Sequence, residues 1–182
     1  MGWDESKELE SVKKRIQETE VNLDKSRGCF IGGAVGDALG YAVEFMQEES
    51  IFEKYGAGGI TEYSLTNSRA LISDDTQMTL FTANGLLYGD TRGHLRGIAG
   101  EPEFYVETAY QEWLLTQEKS YDEWKEEVLE WKKEHHAHFG YLQRHISWLM
   151  DIPELYCRRA PGNTCLSALA KRKNFFICLE FY

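Results

Sequence analysis

Four glycines spaced by four constrain this chain more than any other feature. In the stretch RGCFIGGAVGDALGYAVEFM, Gly28, Gly32, Gly36 and Gly40 fall on one ridge of an α-helix. A glycine inside a helix costs roughly 1 kcal/mol relative to alanine. A ridge of four therefore predicts a second backbone, or a ligand, pressed against it. With only 3 prolines in 182 residues, the chain also has few points at which a helix must stop.

Helical periodicity continues on both sides of this ridge. Leu9, Val12, Ile16 and Leu23 form a thin apolar stripe on a charged segment, predicting a surface helix over residues 1–22. The Gly-rich stretch IFEKYGAGGITEYSLTNSRALISDD predicts a loop with weak strand propensity from Ile60 to Leu65. A helix follows from about Asp74 to Tyr88, with Met78, Phe81 and Gly85 on one face and Leu80, Ala83 and Leu87 on another. Apolar character on two faces predicts that this helix is buried. Pro102 opens a further helix carrying Val106, Tyr110, Trp113 and Leu114. The segment YDEWKEEVLEWKKEHHAHFGYLQRHISWLM reads as one long helical region, breakable near Gly140 and stopped at Asp151-Ile152-Pro153. RRAPGNTCLSALA is a Pro-Gly turn leading into a helix capped by Asn163 or Thr164. The expectation is a mainly α, single-domain chain.

Charge narrows the partners. Thirty Asp and Glu residues against 20 Lys and Arg leave a net charge of −10, which repels phosphate backbones and anionic lipid surfaces. Nucleic acid and membranes are therefore not expected partners. No apolar run is long enough to span a bilayer, and the polar N-terminus has no signal-peptide pattern. The four cysteines, Cys29, Cys157, Cys165 and Cys178, form no CxxC pair and no zinc spacing. Reduced thiols and a cytoplasmic location are the expectation.

Candidate chemistry rests on acids. Taken alone, Asp74 and Asp75 are explained as helix-opening residues, with Asp74 and Gln77 fitting a capping box. Ser73, Asp74 and Asp75 together also offer a hydroxyl and two carboxylates, a hard-oxygen set suited to Mg²⁺ or Mn²⁺. Asp37 and Glu44 lie seven residues apart, on one helix face and about 10 Å from each other along the axis. In an apolar, glycine-rich helix unpaired charges are expensive. Weaker candidates are His135 and His138, one turn apart with Glu134 beside them, which read as a solvated helix end; His94 and His145 have no identifiable partner. Cys29 has no base at a readable spacing, and GAGGI lacks the Lys and Ser/Thr of a phosphate loop.

Three ordered motifs carry a resemblance. GCFIGGAVGDALGYAVEF, then SDDTQMTLFTANGL, then RAPGNT resemble the ADP-ribosylglycohydrolase family, over about residues 23–170. The resemblance implies an all-α orthogonal helical bundle enclosing a dinuclear Mg²⁺ or Mn²⁺ centre. It implies Ser73, Asp74 and Asp75 as metal ligands, Glu44 as the active-site glutamate and Gly162, Asn163 and Thr164 as lining an ADP-ribose cleft. Asp37 is left as a buried structural acid. The implied activity is metal-dependent hydrolysis at the ribose anomeric carbon, freeing ADP-ribose from a protein side chain or small conjugate.

The chain departs from the family's pattern after that point. The late Asp-x-Asp-Thr motif that completes the family's metal site is absent, as is the glycine-rich segment ending in Met-Arg. Residues 171–182, KRKNFFICLEFY, resemble nothing in the family. The resemblance thus implies the N-terminal part of the fold with half of the ligands for two metals. The alternative expectation is a non-catalytic relative, a weak metal- or ADP-ribose-binding or protein-interaction module.

Overall fold

A computed structural model describes residues 5–97, 100–134 and 146–172. The fold is all-α, with one two-stranded hairpin. The chain divides into two units, Met1–Ala70 and Leu71–Tyr182.

In the first unit one helix, α1 (Glu5–Gly40), runs without a break from the first of the two segments expected to be separate into the second, ending at Gly40. No proline falls between them, and glycine weakens a helix without ending it. Every residue from 6 to 33 is exposed. Among the described residues the close neighbour predicted for the glycine ridge is not found: a Cβ built on Gly28, Gly32, Gly36 or Gly40 meets none of them within 4 Å. A turn over residues 41–45 follows, then α2 (Glu48–Tyr55), which ends on Gly56 at φ 82°. The strand expected at 60–65 lies further on. Leu65–Thr66 (β1) pairs antiparallel with Arg69–Ala70 (β2), and Asn67 and Ser68 at φ 51° and 63° make the connecting turn. Positive φ at both central residues is what a tight two-residue hairpin requires.

The second unit holds the core. α3 (Asp74–Arg96) runs two turns beyond the expected stop at Tyr88 and ends on left-handed Gly97. It packs lengthwise on α4 (Pro102–Glu118). Gly85 and Gly89 make that approach possible, for a Cβ on Gly85 would lie 2.7 Å from the Tyr105 carbonyl oxygen and one on Gly89 would enter the Tyr105 ring. Of the second expected face, Leu80 packs partly buried against the core, while Leu87 is exposed among the described residues. Phe81 is fully buried, whereas Leu86 is exposed.

Phe81, Trp113, Leu114 and Trp124 pack with Leu149, Met150, Leu155 and Leu169. Trp124 comes from α5 (Tyr121–Glu134), opened by a capping box in which Ser120 N–H and Oγ both reach Glu123 Oε2, at 2.7 and 2.8 Å. The histidines His135, His138 and His145 and the tail 173–182 lie outside the described residues. Two short 3₁₀ turns, Trp148–Asp151 and Pro153–Leu155, then lead to α6 (Asn163–Arg172). Asn163 is already helical, and the Gly162 carbonyl accepts the first helical bond from Leu166. The cap thus sits one residue earlier than the sequence suggests.

Candidate functional site

Ser73, not Asp74, caps α3. Its backbone is extended (φ −89°, ψ −173°) and its Oγ accepts from the Asp75 N–H at 3.1 Å, which satisfies one of the orphan donors of the first turn. Asp74 and Asp75 then occupy that turn, where the helix dipole favours negative charge. Ser73 is buried, Asp74 is 9% exposed and Asp75 faces solvent.

Gln77 has no part in a capping box and does more. Its Oε1 accepts from Trp113 Nε1 at 3.1 Å and Gln117 Nε2 at 3.2 Å, and its Nε2 donates to the Cys157 carbonyl at 3.1 Å. One buried amide so ties the first turns of α3 to α4 and to the segment before RAPGNT. Arg158 Nε adds a bond to the Gln117 carbonyl at 3.0 Å. The next residue completes the arrangement: the Asp74 N–H donates to the Arg159 carbonyl at 2.8 Å, across 85 residues of sequence. Ala160 at φ 58° then turns the chain through Pro161 into α6. Such a left-handed alanine is strained and persists only where its surroundings over-determine it.

The structure thus brings two predicted segments together, Ser73-Asp74-Asp75 and the turn bearing Gly162, Asn163 and Thr164, all three of which are exposed. Glu44 belongs to the first unit. It is exposed and sits in the turn after α1, so the helix-face relation to Asp37 does not hold. Asp37 is half-buried, not buried.

Glu112 escaped the sequence reading. It is buried in α4 and accepts from Ile146 N–H at 2.6 Å and Ser147 N–H at 2.9 Å, one on each carboxylate oxygen. Burial pushes its carboxyl up to about 8, against the two backbone bonds that lower it. Nothing in its helical spacing distinguished it from the solvated acids of α4. A buried position between Ala109 and Trp113 was the available signal.

With this geometry in hand, comparison with known proteins is specific. The ADP-ribosylglycohydrolase family matches residues 18–178. The chain belongs to that family. An ADP-ribosyl-[dinitrogen reductase] glycohydrolase of Rhodospirillum rubrum is 41% identical over 69 residues, which is 35% of this chain and 22% of that protein. The match therefore spans about a fifth of the relative's length. No solved structure matches the chain significantly.

The resemblance implies a divalent metal, and the donors of this chain can be tested against one. Ser73, Asp74 and Asp75 present only hard oxygens. Two adjacent carboxylates and one hydroxyl are donor types that magnesium or manganese takes. Among the described residues no group of three or more His, Cys, Asp or Glu side chains converges on a metal position. The fit is to part of a centre. No described helix is long and apolar enough to cross a membrane.

Proposed function

We propose that this ADP-ribosylglycohydrolase relative binds ADP-ribose attached to a protein side chain or small conjugate and hydrolyses the bond at the ribose anomeric carbon. The observation carrying this reading is the bond from Asp74 N–H to the Arg159 carbonyl. It ties the acidic start of α3 to the APGNT turn, so that hard-oxygen donors and an exposed loop share one end of the second unit. The relative from Rhodospirillum rubrum is named for the same class of reaction on dinitrogen reductase.

In the reaction, water adds to the anomeric carbon while the bond to the leaving side chain breaks through an oxocarbenium-like transition state. The leaving atom takes up one proton and the water gives one up. Ser73, Asp74 and Asp75 would hold Mg²⁺ or Mn²⁺, which supplies orientation of ribose hydroxyls and neutralisation of charge beside the diphosphate. Gly162, Asn163 and Thr164 present exposed backbone and small polar side chains suited to the sugar or phosphate. By the resemblance, Glu44 of the first unit would be the carboxylate for proton transfer. A second reading, a non-catalytic module that binds metal or ADP-ribose weakly, draws on the same incompleteness. Two carboxylates are few for a catalytic centre in a family that uses two metals.

Titration calorimetry with Mg²⁺ and ADP-ribose, singly and together, tests both. Mg²⁺-dependent ADP-ribose binding, lost in Asp74→Asn and Asp75→Asn, supports the site. An unchanged Mg²⁺ affinity in those variants removes them from it. Release of ADP-ribose from a modified protein, lost in Glu44→Gln while Mg²⁺ binding stays, separates the enzyme from the binding module.

A further inference from the structure

We propose that α1 pairs with α1 of a second copy of this chain as a parallel two-stranded coiled coil over residues 8–30. The stripe on this helix has a heptad register. Leu9, Ile16, Leu23 and Phe30 fall at a positions, with Val12, Thr19 and Ser26 at d. All of them are exposed; Ile16 leaves 55% of its surface open. No residue from 6 to 33 is buried, so packing against the described residues contributes little to the stability of that stretch. A helix without such packing is marginal in water, and several of its glycines weaken it further.

The two polar d positions do not spoil the seam. Thr19 Oγ1 donates to the Arg15 carbonyl at 2.8 Å and Ser26 Oγ to the Asn22 carbonyl at 2.9 Å. Their hydroxyls are thereby satisfied within the helix and present their carbon surface outward. The outer face carries the charges, including the pair of Lys14 with Glu18 at 3.9 Å.

Charge identifies the occupant as a second copy, because the pattern complements itself. In a parallel pair each g residue meets the e residue five positions later on the other strand. That sets Glu8 against Lys13 of the second copy and Arg15 against Glu20, opposite charges both times and each twice by symmetry. An antiparallel pairing keeps only Lys13 with Glu20 and sets Arg15 against Asn22. Three of the seven seam positions, Leu9, Val12 and Ile16, precede residue 18, where the family match begins, and none of the seven is among the residues proposed for catalysis, so the pairing is independent of that reading.

Sedimentation of the full chain over micromolar concentrations tests it. A reversible dimer is expected, abolished by Ile16→Asp. Glu8→Lys should weaken the dimer roughly tenfold, as exposed pairs turn repulsive, and adding Lys13→Glu should restore it. Under oxidation Val12→Cys should form a disulfide-linked dimer absent from the unsubstituted chain, since a parallel seam places position 12 beside itself. A monomer at every concentration, a dimer indifferent to Ile16→Asp or to Glu8→Lys, or a dimer in which Val12→Cys fails to cross-link would each overturn the proposal.

Discussion

α1 and α3 both carry glycines four residues apart, yet the two series do opposite things. Gly28, Gly32, Gly36 and Gly40 of α1 look onto open space, while Gly85 and Gly89 of α3 are pressed against Tyr105. In α3 the missing side chain is what lets two backbones approach, and the loss of helix propensity is offset by burial. In α1 no such return exists among the described residues. Glycine spacing therefore reports that close approach is allowed, and says nothing about whether it happens. The same contrast holds for the units at large. Among the described residues, Ala38 alone of the buried hydrophobic side chains lies in the first, and the rest lie in the second.

The sharpest way to break this comparison is Gln77→Ala. It strands the Trp113 indole N–H, one donor of Gln117 and the Cys157 carbonyl. At 1–3 kcal/mol for a buried group left unsatisfied, a loss of roughly 3 kcal/mol is expected in urea unfolding followed by tryptophan fluorescence. A cost near zero would mean the second unit is no more tightly specified than the first.

pH probes the same core. The Glu112 carboxyl is raised from 4.5 to about 8, so the folded state holds its proton more tightly than the unfolded state does. Its contribution to stability is complete below pH 4.5 and is lost as pH rises through about 8. Urea midpoints at pH 5 and pH 8 should show this decline, and Glu112→Gln should flatten it. An equal decline in that variant would assign the effect to other groups.

Gly85→Ala should destabilise by about 1–3 kcal/mol, because the added methyl meets backbone that cannot step aside. Gly36→Ala should act in the other direction. With nothing near its Cβ, it should raise helicity and stabilise α1 by up to about 1 kcal/mol, read by circular dichroism. If both substitutions destabilise, the glycine ridge of α1 has a neighbour after all. The smallest effect separates capping from ligation. Ser73→Ala removes the cap bond to Asp75 N–H and should cost about 1 kcal/mol, in thermal melts with and without Mg²⁺. A difference that grows when Mg²⁺ is present would mark the hydroxyl as a ligand as well.

Much of the local structure was legible. The apolar period placed α3, α4 and the start of α5, because burying one face of a helix imposes its repeat on neighbouring residues. Ser73-Asp74-Asp75 read correctly as a helix opening, with the cap assigned one residue late. Asp and Ser both accept from orphan N–H groups, and spacing alone does not choose between them. RAPGNT read correctly as a turn into a helix. Glu44 was placed on a helix it does not belong to, since only backbone geometry shows that α1 ends at Gly40. Gln77 and Glu112 went unnoticed as buried anchors because their partners lie 34 to 80 residues away.

By itself, then, the amino-acid order determined what is local: helices over most of the chain, an anionic surface, hard-oxygen donors at one helix start and a thin apolar stripe along α1. These follow from interactions between residues one or two turns apart, whose geometry is set by the backbone. Only the tertiary structure decided which glycines bear a close contact, which acids are buried and which carbonyl meets Asp74. Those outcomes depend on segments distant in sequence being packed together, where a shift of about one helical turn would exchange every partner.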